Sequence, residues 1–147
     1  MIPPPILRHL DDVAPRLISP QDTVKLALLV GPGDGSPASV FFEVWEPGGS
    51  QPPNSHPEST EIFVFLAGTG RAHSDEHVVD VTAGDVLVLH PGSTHRIENT
   101  SATERLYAVT IMAEDAGAMP GGFAAVVAAG TTSAWDGTDR RVLGGTA

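Results

Sequence analysis

Apolar residues in this chain arrive in short bursts of about five to eight, each closed by glycine, proline or a small polar residue. Runs of that length suit strands, and they predict strands at 24–30, 40–46, 61–67, 71–74, 77–81, 85–90, 95–99 and 106–112. The intervals carry turn chemistry: Gly31-Pro32-Gly33-Asp34-Gly35, Pro47-Gly48-Gly49, Gly68-Thr69-Gly70, Ala83-Gly84-Asp85 and Pro91-Gly92. Phe63 and Phe65 alternate with Ile62, Val64 and Leu66, so both faces of that strand are apolar and it belongs at the centre of the fold. If Glu61 points inward, Phe63 and Phe65 follow it and wall a pocket, while Ile62, Val64 and Leu66 need cover from another layer or subunit.

The ends read differently. Residues 6–18 place Leu7, Leu10, Val13 and Leu17 at helix-like spacing around an interrupting Pro15, a short arm or a helical turn. Beyond Met112 the chain turns to alanine and glycine, with 123–129 as its dense apolar run and Trp135 as an isolated aromatic. The expected organisation is an N-terminal arm over 1–23, one β domain over 24–112, and a C-terminal extension over 113–147 that packs on that domain or on a partner. A length of 147 residues with 41% hydrophobic residues fits one domain with a real core.

Eight Lys and Arg against eighteen Asp and Glu give a net charge of -10, a field that repels phosphate backbones and anionic lipid. Nucleic acid and membrane are excluded as expected partners. No apolar run nears the ~18 residues of a membrane span, and the N-terminus lacks a basic start followed by a long apolar core, so the cytoplasm is the expected compartment. The absence of cysteine removes disulfides, thiolate ligands and cysteine nucleophiles. No Gly-x-Ser-x-Gly elbow marks a serine triad, and Gly68-Thr69-Gly70 has neither the lysine nor the following helix of a phosphate cradle.

Two stretches carry the chemistry. The first runs from Gly48 through Asn54-Ser55-His56 and Glu61 to Gly68; the second runs from Gly84-Asp85 through His90-Pro91-Gly92-Ser93-Thr94-His95 to Asn99. Together they resemble the two motifs of the cupin superfamily, with Asn54 standing where the first histidine of the pattern belongs. The resemblance covers about residues 40–112. It implies an all-β double-stranded β-helix, or jelly-roll barrel, often dimeric, with a divalent metal ion held by His56, Glu61 and His95 and with Asn54 as a weak fourth ligand or a substrate-orienting amide. Two imidazoles and one carboxylate on one face of an ion leave positions open for water, substrate or dioxygen. An amide oxygen binds such a metal more weakly than an imidazole nitrogen. The alternative is that Asn54 caps its loop, Glu61 hydrogen-bonds a histidine, and no metal is held.

Iron, zinc, manganese and nickel are not distinguished by this donor set. His90, at the end of the Val86, Val88 alternation, either lines the pocket as an acid or base or sits at its rim without function. Arg71 is the candidate for holding an anionic substrate, since Arg96 adjoins His95 and faces the other way on an extended strand. Whether His73 and His77 face Glu61 depends on the parity of a hairpin through Gly68-Thr69-Gly70, and the surface is expected for His77. Glu58 is expected in solvent and Asp85 in a turn. The function expected is a metal-dependent enzyme acting on a small organic molecule in an apolar barrel pocket, of dioxygenase, isomerase, lyase or cyclase type. The alternative is a non-catalytic small-ligand-binding or sensing module. A homodimer is expected through the face of Ile62, Val64 and Leu66.

Overall fold

The computed structural model describes residues 1–115 and 121–144, so 116–120 and 145–147 of the C-terminal extension lie outside the described residues. Ten strands form among those described: β1 (Arg16–Leu17), β2 (Val24–Val30), β3 (Ser39–Trp45), β4 (Glu61–Ala67), β5 (Thr69–Ser74), β6 (His77–Thr82), β7 (Val86–Leu89), β8 (His95–Asn99), β9 (Leu106–Met112) and β10 (Thr131–Thr132). Eight of them fall on the expected apolar bursts within a residue or two. They make two antiparallel sheets, one ordered β10-β1-β2-β3-β9-β4-β7 and the other β6-β5-β8, which is the all-β jelly-roll architecture expected.

The two sheets face each other across one core. Register follows from side-chain parity: Phe41, Glu43 and Trp45 of β3, Glu61, Phe63 and Phe65 of β4, and Leu106, Ala108, Thr110 and Met112 of β9 all point inward. Ala72 and Ile97 close the opposite wall from β5 and β8. The strand β4 is central, as its two apolar faces require, lying between β9 and β7.

A hairpin through Gly68 does not form. The strands β4 and β5 belong to different sheets, and the chain steps between them at Gly68, whose φ of 93° suits glycine. A Cβ there would lie 2.5 Å from the Arg105 carbonyl oxygen, so the crossing is packed directly against β9. Hairpin parity therefore has no bearing on His73 and His77.

The helix-like spacing of the arm does not make an α-helix. Only a 3-10 turn forms, at Leu10–Asp12, before β1, and Leu7 is fully exposed. The run Pro3-Pro4-Pro5 and Pro15 leave too short an uninterrupted stretch to nucleate more. The extension supplies two short helices, α1 (Gly122–Ala128) and α2 (Gly137–Val142). Trp135, Val142 and Leu143 cover Phe42, Val44 and Tyr107 on the outer face of the larger sheet. They are pinned there by Asp139, wholly buried, which accepts from Lys25 Nζ at 2.5 Å and from the Tyr107 hydroxyl at 2.9 Å.

Candidate metal centre

The loop after β3 runs alongside β8 as an irregular extra strand, with bridges between Ser50 and Glu98 and between Asn54 and His95. Asn54 N donates to the His95 carbonyl at 2.9 Å, and His95 N donates to the Asn54 carbonyl at 2.8 Å. Residues opposed in such a pair share a face, so the Asn54 and His95 side chains both look into the barrel. Two residues on, the His56 carbonyl accepts from Gly92 N at 3.0 Å, which ties the first motif to the turn that opens the second. Glu61 enters the same space from the start of β4.

His56, Glu61 and His95 each offer one donor atom to a group within 4.8 Å of one another. Glu61 Oε2 lies 2.8 Å from His95 Nε2 and 3.6 Å from His56 Nε2. Donors about 2.1 Å from a shared ion sit about 3 to 4 Å apart, so these separations suit one divalent metal. Despite the short contact, neither Glu61 Oε2 nor His95 Nε2 makes a hydrogen bond, and Asn54 Oδ1 is likewise buried without a partner. Such orphaned groups are costly, and Glu61 Oε2 and His95 Nε2, 2.8 Å apart, suit an electrophile between them. His95 Nδ1 lies 3.1 Å from the Ser93 carbonyl oxygen and 3.3 Å from the Ser93 hydroxyl; in the Nδ1–H tautomer it donates to that carbonyl and leaves the Nε2 lone pair free for a metal. Burial holds the His56 imidazole below its ordinary pKa, partly offset by the Glu61 charge, which favours the neutral form that a metal needs.

Sequence reading missed three neighbours. Glu43, 1% exposed, points into the barrel and accepts from Gln51 Nε2 at 3.0 Å. Burial first, then the Glu61 charge, pushes its carboxyl well above the usual carboxylate range, while the Gln51 bond acts the other way. Its signal was a lone acid on the inward parity of an otherwise apolar strand. The third neighbour is Phe123 of α1, whose ring lies 5.3 Å from the His56 ring and 5.5 Å from Phe41. Buried Asp115 holds that helix start, accepting from Phe123 N at 2.8 Å and Ala124 N at 3.0 Å. Nothing in the sequence connects residue 123 with residue 56.

The remaining candidates lie apart. Arg71 is not brought to the group: it sits on the outer face of β5 with its Nε 2.8 Å from Asp80 Oδ1, because the parity that sends Ala72 inward sends it out. Arg96 is on that same outer face, 3.2 Å from Glu98, and His73 pairs with Glu98 at 3.0 Å. His77 and Glu58 are exposed, and Asp85 accepts from Thr82 N in its turn. His90 is exposed on the turn that leads to Ser93, where it lines a hollow of about 620 Å³ between the β6 and β7 edges.

A family model described as a cupin domain matches residues 41–112. An oxalate-binding protein of Thermotoga maritima is 35% identical over 66 residues, 45% of this chain and 54% of that protein, so the chain spans about half the length of the curated relative it matches. Among solved structures, a Cupin 2 conserved barrel domain protein from Salinispora arenicola is 26% identical, with a TM-score of 0.63 over 78% of this chain and 92% of that one. A predicted oxalate decarboxylase of Thermotoga maritima, 24% identical, superposes with a TM-score of 0.65 over 74% of this chain and 99% of the other, a likeness of fold.

The raised carboxyl of Glu43 makes stability depend on pH in the metal-free protein. Below the ordinary carboxylate range Glu43 is protonated whether folded or unfolded and contributes nothing. As pH rises above about 4.5 the unfolded chain ionises it while the fold resists, so stability falls until the folded value is passed. Glu43→Gln removes this drain. Thermal melts should show the variant matching the parent near pH 4 and gaining on it steadily towards pH 8; a gap that stays constant with pH contradicts the assignment.

Proposed function

The chain belongs to the cupin superfamily, and from that premise we propose a metal-dependent enzyme of the cytoplasm that acts on a small organic molecule inside the barrel. His56, Glu61 and His95 are the ligands in this reading, with the Asn54 amide oxygen as a weaker fourth. The observation that carries it is the convergence of one donor atom each from His56, Glu61 and His95 within 4.8 Å of one another, with Glu61 Oε2 and His95 Nε2 both buried and without a hydrogen-bond partner. When bound, a divalent ion supplies a Lewis acid with coordination positions left for substrate.

The chain's own residues do the rest. The Ser93 carbonyl favours the Nδ1–H tautomer of His95, and Phe123, backed by Phe41, covers the His56 ring. Glu43 keeps its proton to higher pH than an exposed carboxyl. His90, solvent-facing on the turn before Ser93, is the imidazole we assign to proton exchange with bulk water. The reaction type is left open, because one fold hosts many chemistries on this donor set. The second reading, a binding or sensing module without turnover, draws on Asn54, which replaces a strong ligand with a weak one.

The homodimer is proposed through the part of the outer sheet that the tail leaves bare. Trp135 and Leu143 cover the β3 side, while Leu66, Val86 and Val88 on the β4–β7 side are 41%, 63% and 48% exposed beside half-buried Ile62 and Val64. A contiguous apolar patch of this kind is costly in water and suits a self-complementary contact of at least about 1,000 Å².

Elemental analysis of protein purified without chelator should find about one divalent ion per chain. His95→Ala should abolish retention and Asn54→His should tighten it; equal metal content in both variants rejects the ligand set. Light scattering at micromolar concentration should give about twice the 15.3 kDa of one chain. A mass near one chain refutes the dimer.

A further inference from the structure

A second hollow, of about 170 Å³, lies beneath α1 between the inner face of β2 and the loop that carries Asn54. Val24, Leu26, Ile18, Phe123 and Val126 make its walls apolar, and Gln51 and Asn54 form its polar end. It adjoins the metal group: Asn54, paired with His95, lines it, and Phe123 of its wall packs on the His56 ring. Ile18, Val24, Leu26, Phe123 and Val126 all lie outside the matched stretch 41–112, so most of the apolar wall comes from the arm, β2 and tail of this particular chain.

The charge around the site is one-sided. Glu43 and Glu61 face the interior, and Asp22 is at the cleft. The Lys and Arg residues are engaged elsewhere: on the outer face of the β5–β8 sheet, in the Asp139 cluster, at the Gly130 carbonyl, and in the arm and tail. A small dianion bound at the metal would find no cation for its second charge and two carboxyl groups nearby. An apolar body would find a cleft slightly larger than the ~150 Å³ that takes a benzene ring in a dry protein cavity.

Resting on the metal reading above, we infer that the ligand of this site combines an oxygen chelating head, neutral or singly charged, with an apolar body of about one ring that fills the cleft under α1. Small dicarboxylates are disfavoured. Chelation selects the head, and burial of the body against Leu26 and Val126 selects the substrate class.

Tropolone and oxalate test this as a pair, since both chelate through two oxygens but only tropolone carries a ring and a single charge. Each is titrated into Co(II)-loaded protein while the visible spectrum of the metal is followed. Tropolone should bind more tightly than oxalate, and Val126→Trp, which fills the cleft without touching a ligand, should weaken tropolone by about tenfold and leave oxalate and Co(II) content unchanged. Ile18→Trp, at the partly exposed mouth, provides the same measurement should Val126→Trp fold poorly. Tighter binding of oxalate, or equal effects of the variants on both probes, overturns the inference. Loss of Co(II) uptake by the parent protein would instead overturn the metal reading. The cleft is tested apart from it by benzyl alcohol and metal-free protein: methyl NMR signals of Val24, Leu26 and Val126 should shift, and unmoved signals refute an apolar binding site.

Discussion

A carboxylate inside an apolar barrel has to be compensated, and much of this structure follows from that requirement. Glu61 is 4% exposed among Phe41, Phe63 and Met112, with a second acid, Glu43, on the same inner wall. Desolvation and mutual repulsion oppose two ionised groups in that space. The fold answers in two ways. Glu43 resists ionisation, its carboxyl raised well above the usual range, and accepts a hydrogen bond from Gln51, while Glu61 is faced by two imidazoles whose geometry suits a shared cation better than a hydrogen bond.

The backbone accounts for how those groups meet. Pairing Asn54 with His95 fixes both side chains on one face, the Gly92–His56 bond sets the second imidazole, and the register of β4 against β9 delivers Glu61. Rigid sheet positions of this kind suit a preorganised site. The tail then closes the structure at two places. Asp115 anchors α1 over the His56 ring, and Asp139 anchors the segment that covers Phe42 and Tyr107. Cover over the metal group and cover over the outer sheet thus come from one extension of the chain.

Strand positions were legible because they are local: apolar bursts between turn residues located β2 to β9 nearly to the residue. The donor set was legible through the resemblance of two motifs to the cupin pattern, while the way its members meet depends on the pairing of Asn54 with His95, the Gly92–His56 bond and the register of β4 on β9. Parity failed at Gly68, where the chain changes sheets; an inter-sheet step and a hairpin use the same glycine-rich turn. Arg71 stands out in the sequence because Arg96 adjoins His95, but it lies opposite Glu98 and Asp80 on the outer face because its neighbour Ala72 points inward. Glu43 was readable as an acid on an inward parity but not as a neighbour of Glu61, which requires knowing that β3 and β4 both border β9. Phe123 depends on a contact with His56 across nearly half the chain. Local pattern carries no information of that range.

The central claim is that two imidazoles and the carboxylate of Glu61 share one divalent ion. X-ray absorption at the metal edge of the protein as purified tests it most directly. The account predicts a first shell of nitrogen and oxygen only, at about 2.0 to 2.3 Å, with the outer-shell scattering of two imidazole rings reduced to one in His95→Ala. A shell with no imidazole scattering, or one unchanged by that substitution, would contradict it.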